Sequence, residues 1–466
     1  MQKNKIDEIK QFFAEITALL EQKAVYADCL YYYDSSQEIG LDKANKEISS
    51  GKGDGVKLRA YDGAQFHEYG ITGFNKEKII EAANILLQSF DKKDAGLIFP
   101  LAIDTQKINK HFESESEIAA DSIDLSQKIE DTENIMNAIL KKEPAIANCR
   151  IRYDESTEIR IFVNKYKQLS QRIQSCIFII SPYIKSDHGD IRYHYKAFFA
   201  NGYEAKQKIS KKEIIDIISF TKKIAKADKI IPGRYLCLFS PDVTGLLAHE
   251  SFGHGMESDT IYKGRAKAQE YLGKSIAPDY INILDNPSFP KRNGSFFFDD
   301  EGFITSSTYL IKEGIVNHPI TDSFSASRLK MLRSGNARAE SYDHKVYARM
   351  SNTYFAAGKS NKVDMLKNIK DGFFLHYPSG GMEDPKGWGI QVQGIVAEKI
   401  KDGRLTGELF YEIGMTGYLP ELLGNIQEVS QEFEVPGTGI CGKGHKEWVR
   451  VSEGGPYLLV KDVNLS

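Results

Sequence analysis

The stretch AHESFGHGMESD (248–259) packs two histidines, a glutamate beside the first and two further acidic residues into one short segment. Imidazoles with an adjacent carboxylate are the parts of a hydrolytic zinc site, and in the familiar helical motif the histidines stand four apart. Here His249 and His254 stand five apart. At about 100° per residue, positions five apart on an α-helix point about 140° away from each other, against about 40° for positions four apart. Two ligands of one tetrahedral ion cannot diverge that far. Gly253 and Gly255 flank the second histidine, and glycine tolerates left-handed backbone, so the helix can end at Gly253 and swing His254 back. A π-bulge would serve as well.

Two histidines leave zinc short of its usual three protein ligands plus one open position. The eight other histidines form no second cluster in the sequence. Glu257 and Asp259 lie just past the motif and could ligate. Near the C-terminus, PGTGICGKGHKEW sets Cys441 among Gly437, Gly439, Gly442 and Gly444, where a thiolate is a good zinc ligand. The same loop matches GxGxxG at 437–442, but no helix follows and 24 residues remain, too few for a dinucleotide-binding βαβ unit. SSGKGDG (49–55) lacks the spacing of a phosphate loop and reads as a glycine-rich turn.

The elements that must position these groups differ between the two halves. Ile6, Ile9, Phe12, Phe13, Ile16, Leu19 and Leu20 recur at helical spacing, which predicts an amphipathic helix over 5–22. Residues 25–72 read as strands and hairpins, NKEKIIEAANILLQSF as a helix, and 114–142 as one or two more. From 149, CRIRYDESTEIRIFVNKY, SCIFIISPYI and IRYHYKAFFANGYEA alternate as half-buried antiparallel strands do. A helix at 211–226 leads into KADKIIPG, read as the boundary between domains 1–228 and 229–466. The second half is mostly strand and turn, and its main helix carries HESFGH, with Ser240 as cap, Pro241 in the first turn and Asp242 at the positive end of the helix dipole. The fold class expected is α+β, with helices concentrated in the N-terminal half.

At 466 residues the chain exceeds one ordinary core, and 41% hydrophobic with 11% aromatic residues supplies enough apolar surface to exclude wholesale disorder. A net charge of −3 argues against nucleic acid as the main ligand. No apolar run is long enough to span a bilayer, and MQKNKIDEIKQFFAEITALL lacks the features of a signal peptide. Five scattered cysteines with no CxxC pair suit a reducing compartment, so a cytoplasmic location is expected.

HESFGHGMESD resembles the HExxxH motif of the TldD/PmbA family, metallopeptidases also called modulators of DNA gyrase. FFFDDEGFITSSTYLIKEGIV, SGNARAESYDHKVYARMSNTYFAAGKS and VPGTGICGKG look like family blocks in the family's order, and RAYDGAQFHEYGITGF like a looser N-terminal counterpart. Met256, Ser258 and the segment after PSGGMEDPKGWG depart from the pattern. The resemblance implies that His249, His254 and Cys441 bind zinc and that Glu250 is the general base. It also implies an N-terminal α/β domain with an antiparallel sheet and packing helices, and a β-rich C-terminal domain carrying the motif helix. A two-subunit assembly, homodimer or heterodimer with a related subunit, and unfolded or small peptides as substrates follow from it too. Because this chain keeps all four site residues, it resembles the metal-bearing TldD side.

Substrate backbone is expected to add to an exposed strand edge. Arg338, Tyr342 and His344 are candidate oxyanion donors only through their place in a family block. Two other function classes stand beside a zinc peptidase: a non-catalytic regulatory subunit, which would have no need of all four residues, and a zinc amidohydrolase acting on small amides, which would use the same water and base. A direct DNA or gyrase binder is disfavoured by the missing basic patch.

Overall fold

The computed structural model describes residues 3–90, 101–444 and 446–466, so His445 falls outside it. The N-terminal half runs α1 (Lys3–Leu20), β1 (Tyr26–Leu41), β2 (Lys46–Tyr61), β3 (Phe66–Thr72), α2 (Lys76–Ser89), β4 (Ile108–Glu113), α3 (Leu125–Lys142), β5 (Ile146–Asn164), β6 (Lys167–Lys185), β7 (Ile191–Tyr193), β8 (Lys196–Ala200) and α4 (Lys211–Ile224). These strands form one sheet in the order β3-β2-β1-β5-β6-β4, with β7 and β8 also on β6. Every pairing is antiparallel except β4 on β6, which is parallel.

Side-chain alternation sorts the two faces of this sheet. Cys29 and Tyr31 of β1 bury against Phe13 of α1 and Ile79 of α2, while Ile39 and Leu41 of the same strand face share a core with Ile135 of α3 and Ile217 of α4. Leu30 and Tyr32 point the other way and pack with Phe298 from the second half of the chain. Helices therefore cover one face and the second half of the protein covers the other.

One expectation fails here. SSGKGDG is no turn: residues 49–55 continue β2, paired with β1 from Ser49↔Glu38 to Gly55↔Tyr32, and the turn falls at 42–45. The reason is a close approach. A Cβ at Gly55 would stand 2.2 Å from the ring of Tyr342, which lies against the strand from the second half, and the Tyr342 hydroxyl reaches Thr72 Oγ1 at 2.8 Å.

In the second half, β9 (Gly233–Phe239) leads into α5 (Pro241–Ala248). Strands Ser452–Leu465, Arg404–Tyr418, Gly389–Lys401 and Asp371–His376 follow one another in the sheet, and β9 pairs with the last in parallel and with the first antiparallel, closing a five-stranded ring. Ring residues Phe239, Leu375, Ile413, Met415 and Leu458 share one buried core with Val243, Leu247 and Ala248 of α5. Burying a side chain of this size contributes about 1.5–3 kcal/mol. The motif helix is thus held in the largest buried apolar cluster among the described residues. Among the described residues no helix is long and apolar enough to cross a membrane.

The two halves are joined by ion pairs as well as by packing. Arg59 of β2 donates to Asp28 at 2.7 Å and to Glu301 at 2.9 Å, and Arg450 donates to Glu158 of β5 at 2.9 Å.

Candidate metal centre

The helix start is read correctly in position but not in chemistry. Ser240 occupies the cap position, yet its hydroxyl turns to the carboxylate of Asp242 rather than to the helix backbone, and Asp242 accepts the Val243 N–H at 3.0 Å. The helix does not end at Gly253. From His249 to His254 it continues as a π-turn. In a π-turn the backbone bonds run i→i+5, so residues five apart stack on one face as residues four apart do in an α-helix. The extra residue of HESFGH is absorbed there.

Two side chains explain why the turn widens at this point. The Ser251 hydroxyl bonds back to the Leu247 carbonyl, four residues earlier, which weakens the α-helical ladder locally. Phe252 is fully buried in the core below and anchors the widened turn. Neither flanking glycine uses left-handed backbone, contrary to the reason expected for them: Gly255 sits at φ −63°. They are needed for space. A Cβ at Gly253 would stand 2.7 Å from Met350 Sδ, and one at Gly255 2.4 Å from the Ser251 carbonyl.

The result is that the two imidazoles face each other, ring centres 5.3 Å apart and nearly perpendicular. Cys441 comes to the same place from the other end of the sequence. It lies on a short strand, Ile440–Cys441, paired with Val449–Arg450, so the GxGxxG match is half of a hairpin and not the start of a βαβ unit. Donor atoms of His249, His254 and Cys441 all lie within 4.8 Å of one another. Cys441 Sγ is 3.2 Å from His254 Nε2.

Charge in the centre follows from burial and neighbours. Burial, and then the nearby His254, push the pKa of His249 down to about 3, so its imidazole is neutral as a metal ligand must be. Its buried Nδ1 has no hydrogen-bond partner among the described residues. Burial opposes a charge on His254, but Cys441 and Glu257 outweigh it and hold its pKa well above the usual value. Two imidazoles and a thiol converging at this spacing fit a zinc-type ion with one position left open.

Glu250 makes no side-chain hydrogen bond to the described residues that would tie it down, and burial raises its pKa while His254 opposes the rise. Its side chain runs beneath strand Gly380–Asp384, where a Cβ at Gly381 would stand 2.9 Å from Glu250 Cγ. That strand pairs only with Gly389–Lys401 among the described residues, so its outer edge is open beside the centre.

Glu257 and Asp259, both possible ligands by sequence, are engaged elsewhere. Glu257 is fully buried, pairs with Arg349 Nε at 2.8 Å and Lys443 Nζ at 3.0 Å, and reaches His254 Nδ1 at 3.6 Å from behind. Burial opposes its ionisation, but Lys443 and Arg349 hold its pKa well below the usual range. Asp259 pairs with Lys443 and Lys263. Arg338 donates to the Met350 and Arg450 carbonyls, both at 2.8 Å, and Tyr342 packs on β2, so neither joins the centre.

Residues passed over in the sequence carry much of this arrangement. Arg349, with no exposed surface, donates to Glu257, to the Cys441 carbonyl at 3.1 Å and to Cys441 Sγ at 3.2 Å. Glu383 and Glu453 have buried carboxylate oxygens without hydrogen-bond partners among the described residues. Burial, with a further push from Glu250, carries Glu383 up to about 9 and Glu453 to about 7. An arginine in the block KVYARM and a carboxylate in GGMED give no signal by type or spacing; only the fold brings them here.

Known proteins resemble this chain along nearly all of its length. Residues 232–466 match the PmbA/TldA metallopeptidase C-terminal domain. A metalloprotease of Methanocaldococcus jannaschii is 26% identical, covering 92% of this chain and 94% of its own. A zinc metalloprotease TldD homolog of Saccharolobus solfataricus is 24% identical over 97% of this chain and 99% of its own. Among solved structures, TldE of Thermococcus kodakarensis shares the fold with a TM-score of 0.75, at 14% identity over 97% of this chain and 99% of that one. With a matching domain over half its length, relatives along nearly all of it and the shared fold, the chain belongs to the TldD/PmbA metallopeptidase family.

Proposed function

We propose that this chain is a zinc-dependent peptidase acting on unfolded or small peptides, with His249, His254 and Cys441 holding the ion and Glu250 as general base. The observation that carries the reading is the π-turn, which turns a five-residue spacing into two convergent imidazoles opposite a thiol. A zinc ion held by such a set acts as a Lewis acid, acidifying a water and polarising the scissile carbonyl. The chain's own residues do the rest. Glu257, fixed by Arg349 and Lys443, stands behind His254 and orients its ring so that Nε2 faces Cys441. Glu250, its pKa raised by burial, takes the proton of the attacking water on a carboxylate oxygen and returns it to the leaving amine nitrogen. The open edge of Gly380–Asp384 accepts an extended substrate backbone, which gives affinity with little sequence preference.

The same reading divides the chain at 228/229, supported by a separate sheet in each part and by the domain match beginning at 232. It includes pairing with a second copy or a related subunit, which the likeness to TldE supports. Five free, buried cysteines support a cytoplasmic location. The test is a peptidase assay of Glu250→Gln on an unfolded polypeptide. The variant is expected to keep its metal and lose about 10²–10⁴-fold in rate. Undiminished cleavage by Glu250→Gln would overturn the assignment of the base.

A further inference from the structure

We propose that Glu340, His344 and Glu447 form a second divalent-cation site, which clasps the hairpin carrying Cys441. Two hairpin loops meet here. Glu340 and His344 lie between the paired strands Ala337–Arg338 and Tyr347–Ala348, and Glu447 lies between Ile440–Cys441 and Val449–Arg450. One donor atom from each of the three residues lies within 4.8 Å of the other two.

The spacing is compatible with ligands around an ion. His344 Nδ1 stands 3.3 Å from Glu447 Oε2, a long hydrogen bond, and 3.6 Å from Glu340 Oε2. A charge-assisted N–H···O bond would be about 2.8 Å. An ion with bonds of about 2.1 Å to nitrogen and oxygen sets tetrahedral ligands about 3.4 Å apart. Chemistry points the same way. A single Nδ1–H can be directed at one carboxylate only, and an unprotonated Nδ1 would face two acceptors with nothing between them. Glu447 is 6% exposed, and neither it nor Glu340 pairs with a lysine or arginine among the described residues. The nearest cations, Lys57 and Arg349, are spent on backbone carbonyls of the two loops and leave the carboxylates themselves without a cationic side chain. A shared divalent ion satisfies all three donors at once.

The surroundings already hold the groups in place. Trp448 N–H donates to Glu340 Oε2 at 3.1 Å, Lys57 donates to the His344 carbonyl, and Arg349 donates to the Glu447 carbonyl. One nitrogen and two carboxylate donors suit zinc or manganese, harder in character than the thiolate set nearby. An ion here ties the Cys441 hairpin to its neighbour. That consequence rests on Cys441 being a ligand of the first centre; the second site itself does not.

The experiment is equilibrium dialysis against zinc, and separately manganese, with metal counted by mass spectrometry in wild type, Glu447→Gln, His344→Asn and Cys441→Ser. Thermal melts accompany each variant to show that it is folded. Wild type is expected to bind about two zinc equivalents and each variant about one. Folded Glu447→Gln and His344→Asn proteins that bind as much zinc and manganese as wild type would overturn the proposal. Failure of the first centre reads differently: Cys441→Ser would then bind as wild type, while Glu447→Gln would still lose an ion.

Discussion

Cys441 Sγ lies 3.2 Å from His254 Nε2, although 187 positions separate the two residues. The hairpin that brings the sulfur there is only two residues deep on each strand. Its place depends on Arg349, whose buried guanidinium binds the sulfur, the Cys441 carbonyl, the Glu447 carbonyl and the carboxylate of Glu257.

Removing that guanidinium leaves Glu257 buried with Lys443 and His254 as its remaining partners. Arg349→Met is expected to cost about 3–5 kcal/mol of stability. Arg349→Lys keeps one charge but cannot fork to Glu257 and the hairpin together, so it restores only part. Urea denaturation of the three proteins checks this, and equal midpoints would contradict it.

Gly381 has no room for a side chain over Glu250. Alanine there would meet Glu250 Cγ at 2.9 Å and the Gln391 carbonyl at 3.1 Å. Displacing the base by a fraction of an ångström to an ångström is expected to lower kcat about tenfold to a hundredfold. Metal content stays at the wild-type level, because no ligand touches Gly381. The pair of measurements, kcat and bound metal, separates a displaced base from a lost ion.

His194 predicts a pH dependence of stability. Burial pushes its pKa down to about 4, and its Nε2 is held by the Thr221 hydroxyl at 3.0 Å. The folded state keeps this imidazole neutral, so between about pH 6.5 and 4 the unfolded chain binds the extra proton. Stability from this group is complete above its unfolded pKa and falls as the pH drops, by about 2 kcal/mol at pH 5. Folding free energies of wild type and His194→Gln, measured at pH 7 and 5, should converge at the lower pH. Parallel losses in both would assign the acid sensitivity elsewhere.

Metal removal should loosen the C-terminal hairpin with the motif helix. An ion present at a thousand times its Kd stabilises the folded state by about 4 kcal/mol. Dialysis against a chelator should therefore lower Tm, and zinc added back should restore it. A Tm indifferent to both would mean that no tightly held ion contributes to the fold.

The chemistry of the site was readable from residue types; its geometry was not. HESFGH offered two candidate ligands and a candidate base, and Cys441 stood out among its glycines, because donors are rare and recognisable side chains; the fold brings the three donors together. The π-turn was one of two remedies compatible with the spacing. The choice between them lies in Ser251 bonding back to Leu247 and Phe252 burying below, contacts that need the helix already packed. The helices and hairpins of the first half could be read from periodicity, which reports local structure directly. SSGKGDG misled because glycine marks both tight turns and close approaches, and the ring of Tyr342, far away in sequence, decides which. Arg349, Glu383 and Glu447 gave no sign for the same reason: ordinary charged residues become special only through what the fold sets opposite them. His344, one of eight histidines outside the motif and part of no sequence cluster, acquires Glu447 as a partner only when two hairpin loops meet.

The central claim is that His249, His254 and Cys441 hold one ion, and cobalt substitution tests it most directly. Cobalt(II) bound through a thiolate shows an intense sulfur-to-metal charge-transfer band, whereas nitrogen and oxygen donors alone give only weak absorption. The account predicts the band in wild type and in Glu250→Gln, and its absence in Cys441→Ser. A band that survives in Cys441→Ser, or that never appears in cobalt-loaded wild type, would contradict it.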